Sequence, residues 1–131
     1  MIVLDASAAL ELLLGTPTGA RVAARVAPRD ESLHAPHLID VEVAQVLRRY
    51  QHTGVIGADE GRRALGDLAD LDVVRYGHEL LLPRIWQLRG NLTAYDAAYV
   101  SLAEALAAPL ITLDAGLANA PGHRARVELI A

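Results

Sequence analysis

The chain has 131 residues, which fits one domain spanning residues 1–131. Hydrophobic residues make up 53% but aromatic residues only 4%, so the core must be aliphatic, as in helices packed on a buried parallel sheet. The absence of Cys excludes disulfide frameworks, thiolate zinc sites and cysteine nucleophiles. The formal net charge of −4 is unusual for a protein that simply coats nucleic acid, although it is compatible with a metal-binding carboxylate site.

Targeting signals are not evident in the sequence. The first residues lack a basic leader, and Asp5 interrupts the apolar run early, so the pattern predicts no signal peptide. No apolar run approaches the roughly 20 residues that a membrane-spanning helix needs. We therefore expect a cytoplasmic protein with no membrane partner.

Apolar runs and helical periodicity alternate along the chain. The apolar runs predict strands at 2–4, 73–75, 110–113 and 127–130. The helical patterns predict helices at 6–14, 18–27, 36–53, 58–70, 78–89 and 94–107, with Pro36 in the first turn of the third. We expect segment 32–35 to lead into that helix, and the Gly- and Pro-containing segment between the last two strands to be irregular. This alternation predicts an α/β fold, a three-layer α/β/α sandwich with a mainly parallel central sheet.

Two acidic residues directly follow predicted strands. Asp5 comes after Ile2–Leu4, and Asp114 comes after the run that ends at Leu113. Active sites of such sheets lie at the carboxyl ends of the strands, and carboxylates brought together there favour a hard cation such as Mg²⁺. Each Asp taken alone is equally typical of a helix N-cap.

Two further acidic residues lie in predicted helices. Glu42 flanks the apolar stripe of the third helix, but Asp40 flanks its other side, so helix geometry alone does not choose between them. Asp96 follows Thr93 by three residues, which resembles a capping box, although Glu or Gln is the usual partner. Both residues are therefore compatible with a purely structural role.

The basic residues offer a weaker signal. All 12 are Arg, a residue that pairs bidentately with phosphate, and the pairs at 48–49 and 62–63 are typical of solvated helix faces. Arg49 lies seven residues after Glu42 on the same flank and is a candidate contact for an RNA phosphate. The five histidines show no zinc-type spacing.

Four segments together resemble the PIN-domain family, and within it the VapC-type toxin ribonucleases. They are IVLDASA at 2–8, PHLIDVEVAQVLRR at 36–49, LTAYDAAY at 92–99 and LITLD at 110–114. Each segment alone is weakly diagnostic, but all four occur in order and in register over nearly the whole chain. Gln45 stands where the family usually has Asn, and residues 54–90 are the least diagnostic.

The resemblance implies an α/β/α PIN-like sandwich and a metal-dependent endoribonuclease. It implies that Asp5, Glu42, Asp96 and Asp114 are catalytic residues that bind one or two Mg²⁺ or Mn²⁺ ions, and it favours Glu42 over Asp40. It also implies that Ser7 and Thr112 support the site through their hydroxyl groups. Such toxins cut tRNA or rRNA, are inhibited by a cognate VapB-like antitoxin, and are usually homodimers.

Other functions remain as alternatives. One is a PIN nuclease that is not a toxin, and another is a catalytically silent PIN binding module, although a silent module is expected to have lost acidic residues. A receiver-type phosphoacceptor domain also clusters acidic residues around Mg²⁺, but it requires a Lys near a late strand, and this chain has none.

Overall fold

The computed structural model describes residues 1–131 as seven helices around one five-stranded sheet. The strands are β1 (Ile2–Leu4), β2 (Leu33–Pro36), β3 (Val73–Tyr76), β4 (Leu110–Thr112) and β5 (Val127–Leu129). The helices are α1 (Ala6–Leu14), α2 (Pro17–Val26), α3 (Leu38–His52), α4 (Ala58–Asp70), α5 (Leu82–Gln87), α6 (Ala94–Leu106) and α7 (Ala115–Asn119). A 3₁₀ turn at Glu79–Leu81 precedes α5.

The sheet is entirely parallel, with strand order β3-β2-β1-β4-β5. The chain builds outward from β1 through β2 to β3 and then returns to β4 on the other side of β1. The carboxyl ends of β1 and β4 therefore flank the point where the winding direction reverses, which is where open α/β sheets bind their ligands.

The helices form two layers around the sheet. Helix α1 contacts α2, α3 and α4, and α3 contacts α4, while α5 packs on α6 and α6 packs on β1, β2 and β4. Right-handed crossovers place these two groups on opposite faces, because the winding direction changes between β3 and β4. The predicted three-layer sandwich is thereby confirmed, with a sheet that is wholly rather than mainly parallel.

The core is almost purely aliphatic, as the composition predicts. The three residues of β1 are completely buried between the layers, which explains their continuous apolar run. Tyr99 of α6, at 1% exposure, is the one aromatic side chain among the buried core residues. No helix is long and apolar enough to cross a membrane.

The region around Pro36 differs from the prediction. Segment 32–35 was expected to lead into a helix, but Leu33–Pro36 forms β2, paired with β1 and β3. Pro36 is the last residue of that strand, and α3 begins two residues later at Leu38. A Pro at the end of a strand satisfies the same restriction of φ as a Pro in the first turn of a helix, so the local signal did not distinguish the two.

Two helical assignments also change. The helix predicted at 78–89 is a 3₁₀ turn followed by the short helix α5. Pro83 lies in the first turn of α5, a position typical of Pro at the start of a new helix. The segment after Asp114, predicted to be irregular, contains the five-residue helix α7. A single helical turn carries too little periodicity to be recognised in a sequence.

Candidate active site

A cleft of about 620 Å³ opens at the carboxyl edge of the sheet. Its walls come from α1, α3, α6 and the junction between β4 and α7, so residues far apart in sequence meet in it. The predicted site residues that line it are Asp5, Ser7, Glu42, Arg49, Asp96 and Asp114. Thr112 does not line the cleft, and its side chain lies fully buried behind Asp5.

Asp5 is the most firmly held of the four carboxylates. It is 6% exposed, and its Oδ1 accepts hydrogen bonds from the Ser7 hydroxyl at 2.6 Å and the Ala8 amide at 3.0 Å. The Thr112 hydroxyl donates to the other oxygen, Oδ2. Asp5 is therefore both the N-cap of α1 and a member of the cleft wall, so the two sequence interpretations are compatible.

The two hydroxyl groups link Asp5 to the end of β4. The amide of Leu113 donates to Ser7 Oγ, and the amide of Asp114 donates to Thr112 Oγ1, each at 3.0 Å. Because each hydroxyl accepts from an amide, its own hydrogen is free to point at Asp5. The α1 and β4 ends of the cleft are thus fixed relative to each other.

Asp114 and Asp96 both lie at helix N-termini. Asp114 caps α7 through Oδ1, which accepts from the amides of Gly116 and Leu117, and its Oδ2 makes no protein hydrogen bond. Asp96 lies in the first turn of α6, where Thr93 is the N-cap, but the carboxylate does not return to the Thr93 amide as a capping box requires. Both carboxylates therefore keep free oxygens facing the cleft.

Tyr99 is a site residue that the sequence did not reveal. Its hydroxyl donates to Glu42 Oε1 at 2.6 Å, joining α6 to α3 across the cleft floor. In the predicted helix 94–107, Tyr99 lies at helical spacing from Leu102 and Leu106, which is typical of a core residue. The residue type was the one sequence signal for a polar contact, because a buried Tyr needs a hydrogen-bond partner for its hydroxyl group.

The structure also shows which of Glu42 and Asp40 belongs to the cleft. Glu42 lines the cleft, whereas Asp40 lies on the other side of α3 and accepts three hydrogen bonds from the Arg75 guanidinium, at 2.9 to 3.1 Å. Arg75 comes from β3, the far edge of the sheet. Asp40 therefore holds α3 to the sheet edge and makes no contribution to the cleft.

Three of the four carboxylates have pKa values above their usual range. Burial is the main cause for Asp5, and it outweighs the hydrogen bonds that lower its pKa. Burial followed by the charges of Asp96 and Asp5 raises the pKa of Glu42, and burial followed by the charges of Asp114 and Asp5 raises that of Asp96. The four side chains thus form one mutually repelling group.

No cation within the chain relieves this repulsion. None of the five ion pairs involves a carboxylate of the cleft. Arg49 lines the cleft but makes no ion pair there, and its guanidinium lies 6.0 Å from the Tyr50 ring. The helix N-termini at Asp5, Asp96 and Asp114 supply only partial positive charge.

This donor set fits a hard divalent cation. Carboxylate oxygens are the ligands that Mg²⁺ and Mn²⁺ prefer, and free oxygens remain on Glu42, Asp96 and Asp114. In the structure no three Asp, Glu or His side chains form a closed metal-ligand set. The fit therefore rests on the type, charge and location of the donors.

Comparisons with known proteins show the family of the chain. The sequence matches the PIN domain family over residues 2–122. Ribonuclease VapC12 of Mycobacterium tuberculosis is 47% identical over 131 residues, which covers 100% of each chain.

Two solved structures share the fold at 13% identity and a TM-score of 0.70 each. One is VapC20 of Mycobacterium tuberculosis, a sarcin-ricin loop cleaving toxin, with 90% of this chain and 93% of that chain covered. The other is VapBC2 of Rickettsia felis bound to a DNA fragment from its promoter, with 98% of each chain covered. At this identity the two structures establish the fold alone.

Proposed function

Because this chain belongs to the PIN-domain family, we propose that it is a metal-dependent endoribonuclease that acts as the toxin of a toxin–antitoxin pair. The observation that carries the proposal is the group of four carboxylates in one cleft with no cationic partner. A protein that used these residues only for stability would be expected to pair them, because unpaired like charges disfavour folding.

Asp5, Glu42, Asp96 and Asp114 would hold one or two Mg²⁺ or Mn²⁺ ions. When bound, such an ion lowers the pKa of its water and neutralises charge on the phosphate and the leaving oxygen. The hydroxyl groups of Ser7 and Thr112 fix the orientation of Asp5.

The remaining polar groups of the cleft act on the substrate and on Glu42. Tyr99 holds one oxygen of Glu42 and leaves the other free. Arg49, on the rim of the cleft, contacts a phosphate of the RNA backbone, since its guanidinium is not committed to any carboxylate of the chain.

The proposed substrate is a cellular RNA of the tRNA or rRNA class, and the proposed inhibitor is a VapB-like antitoxin. An antitoxin side chain that carries a guanidinium would complement the charge of the cleft. We also propose a homodimer, for which the exposed side chains of Leu80, Leu82 and Trp86 provide an apolar surface. Light scattering should then give twice the chain mass of 14.0 kDa.

The proposal is tested by cleavage of total cellular RNA by the purified protein with Mg²⁺ or Mn²⁺. Asp5→Ala and Asp96→Ala should each reduce the rate by about 100-fold or more, because several kcal/mol of transition-state stabilisation are lost. Asp40→Asn is the matched control, since this carboxylate lies on the same helix as Glu42 but outside the cleft.

Cleavage by both alanine variants at the parent rate would contradict the assignment of the metal ligands. Toxicity on expression, relieved by the product of a small neighbouring gene, distinguishes a toxin from a PIN nuclease with another cellular role. A protein that cuts RNA but is not toxic would contradict the toxin part of the proposal alone.

A further inference from the structure

A second groove, of about 510 Å³, lies between α3 and α4, and we call it the α3–α4 groove. It is lined by Ala44, Leu47, Arg48, Gln51, His52, Ala58, Gly61, Arg62 and Leu65. No acidic residue lines it, whereas the active-site cleft is lined by five. The residues that line the two surfaces therefore carry charge of opposite sign, in a chain of net charge −4.

The basic groups of this groove are largely uncommitted. Arg48 and His52 are exposed and make no side-chain hydrogen bond or ion pair with the protein. Arg62 contacts only Asp59, at 3.5 Å, with both side chains more than 80% exposed. Such an exposed pair contributes about 0–1 kcal/mol and is readily exchanged for a stronger anionic partner.

Helix α3 connects the two surfaces. Arg49 lines the active-site cleft and Arg48, the preceding residue, lines the α3–α4 groove. Successive residues of a helix point about 100° apart, so α3 carries one guanidinium into each surface. An RNA strand that crosses α3 from the cleft would therefore pass from the surface that carries Arg49 to the one that carries Arg48, His52 and Arg62.

We infer that the α3–α4 groove binds the phosphodiester backbone of the RNA strand that flanks the cleavage point. The inference rests on the proposed function and extends it to a part of the surface outside the cleft. Guanidinium groups suit this ligand because they bind phosphate oxygens bidentately and stay charged. No Phe, Tyr or Trp lines the groove and its only ring is that of His52, so its two guanidinium groups favour contacts with the backbone over stacking on successive bases.

The test measures binding of a labelled single-stranded RNA of mixed sequence to the Asp96→Asn protein over a range of salt concentrations. Arg48→Gln together with Arg62→Gln should weaken binding and reduce the slope of log K against log salt by about 1.4, since each lost single-strand phosphate contact reduces it by about 0.7. In the protein with Asp96 intact, the same pair should raise KM for long RNA and leave kcat unchanged.

The matched control is Arg124→Gln together with Arg126→Gln, which removes two exposed guanidinium groups at the opposite edge of the sheet. Circular dichroism and melting temperature show that both double variants fold. An unchanged salt slope in the Arg48/Arg62 variant, or an equal decrease in the control, would overturn the inference.

Loss of antitoxin binding with no change in RNA binding would also overturn it, because the groove would then belong to a protein partner. These outcomes are distinguishable from a failure of the proposed function. If the proposed function is wrong, the unmodified protein does not cleave RNA at all.

Discussion

Two groups of carboxylates in this protein face opposite electrostatic conditions. Glu104 and Glu128 each accept two hydrogen bonds from one guanidinium, of Arg84 and Arg25 respectively, and these contacts hold the pKa of each carboxyl below its usual range. Asp5, Glu42 and Asp96 lie in the cleft without a basic partner, and burial raises the pKa of each.

The contrast separates acidic residues that stabilise the fold from those that we propose bind a ligand. The paired carboxylates join separate elements: Glu104 joins α6 to α5, and Glu128 joins β5 to α2, whose Arg25 is 103 residues away in sequence. The mutual repulsion of the cleft carboxylates disfavours the folded state, and the proposed cation would relieve it. Unfavourable, uncompensated charge in a cleft is the pattern expected of a functional site.

The largest expected effect on stability comes from breaking the Arg84–Glu104 pair. The Glu104 side chain is 3% exposed and also accepts a hydrogen bond from the Arg124 amide, so Glu104→Ala leaves three N–H donors without this acceptor, two of Arg84 and one of Arg124. We expect a loss of about 2 kcal/mol in urea unfolding, less than for a fully buried pair because Arg84 is 28% exposed. Asp59→Asn, which removes an exposed partner, should change stability by less than about 0.5 kcal/mol.

A smaller effect is expected from Tyr99→Phe, which removes only the hydroxyl that holds Glu42. It should destabilise the protein by about 1 kcal/mol and weaken Mn²⁺ binding by about 10-fold, because an outer hydrogen bond orients the ligand. Isothermal titration calorimetry without RNA measures this affinity directly. Tyr95→Phe on the same helix is the control, since Tyr95 is 65% exposed and makes no side-chain hydrogen bond. Equal Mn²⁺ affinities for the two variants would contradict the positioning role.

The smallest expected effect is a pH dependence that differs in sign between the two groups. A raised pKa in the folded state contributes stability at low pH that is lost as pH rises through that pKa. Without metal, Asp96→Asn should therefore become more stable relative to the parent protein as pH rises from acidic to neutral values.

Glu104→Gln should show the opposite trend. Its pKa is lowered in the folded state, so the parent's advantage is present above the unfolded-state pKa and is lost as pH falls through the folded-state pKa. Urea unfolding at several pH values measures both differences. Parallel curves for the two variants would show that the two groups of carboxylates are not electrostatically distinct.

Much of the fold could be predicted from the sequence because its signals are local. The continuous apolar runs of β1 and β4, and helices such as α1 and α4, were predicted to within a residue. Strand β2 was missed because four residues with a His and a Pro carry no strand signature. It is a strand because the chain places it between β1 and β3, where its backbone groups find partners.

The sequence by itself determined that the chain alternates strands and helices, and that Asp5 and Asp114 follow strands at one edge of the sheet. A resemblance to a family added Glu42 and Asp96. Only the tertiary structure brought Asp40 to Arg75, Glu42 to Tyr99 and the α3 arginines to two different surfaces. The first two contacts depend on partners that lie 35 and 57 residues away in sequence, and the third depends on how neighbouring helices pack. No local sequence pattern encodes either.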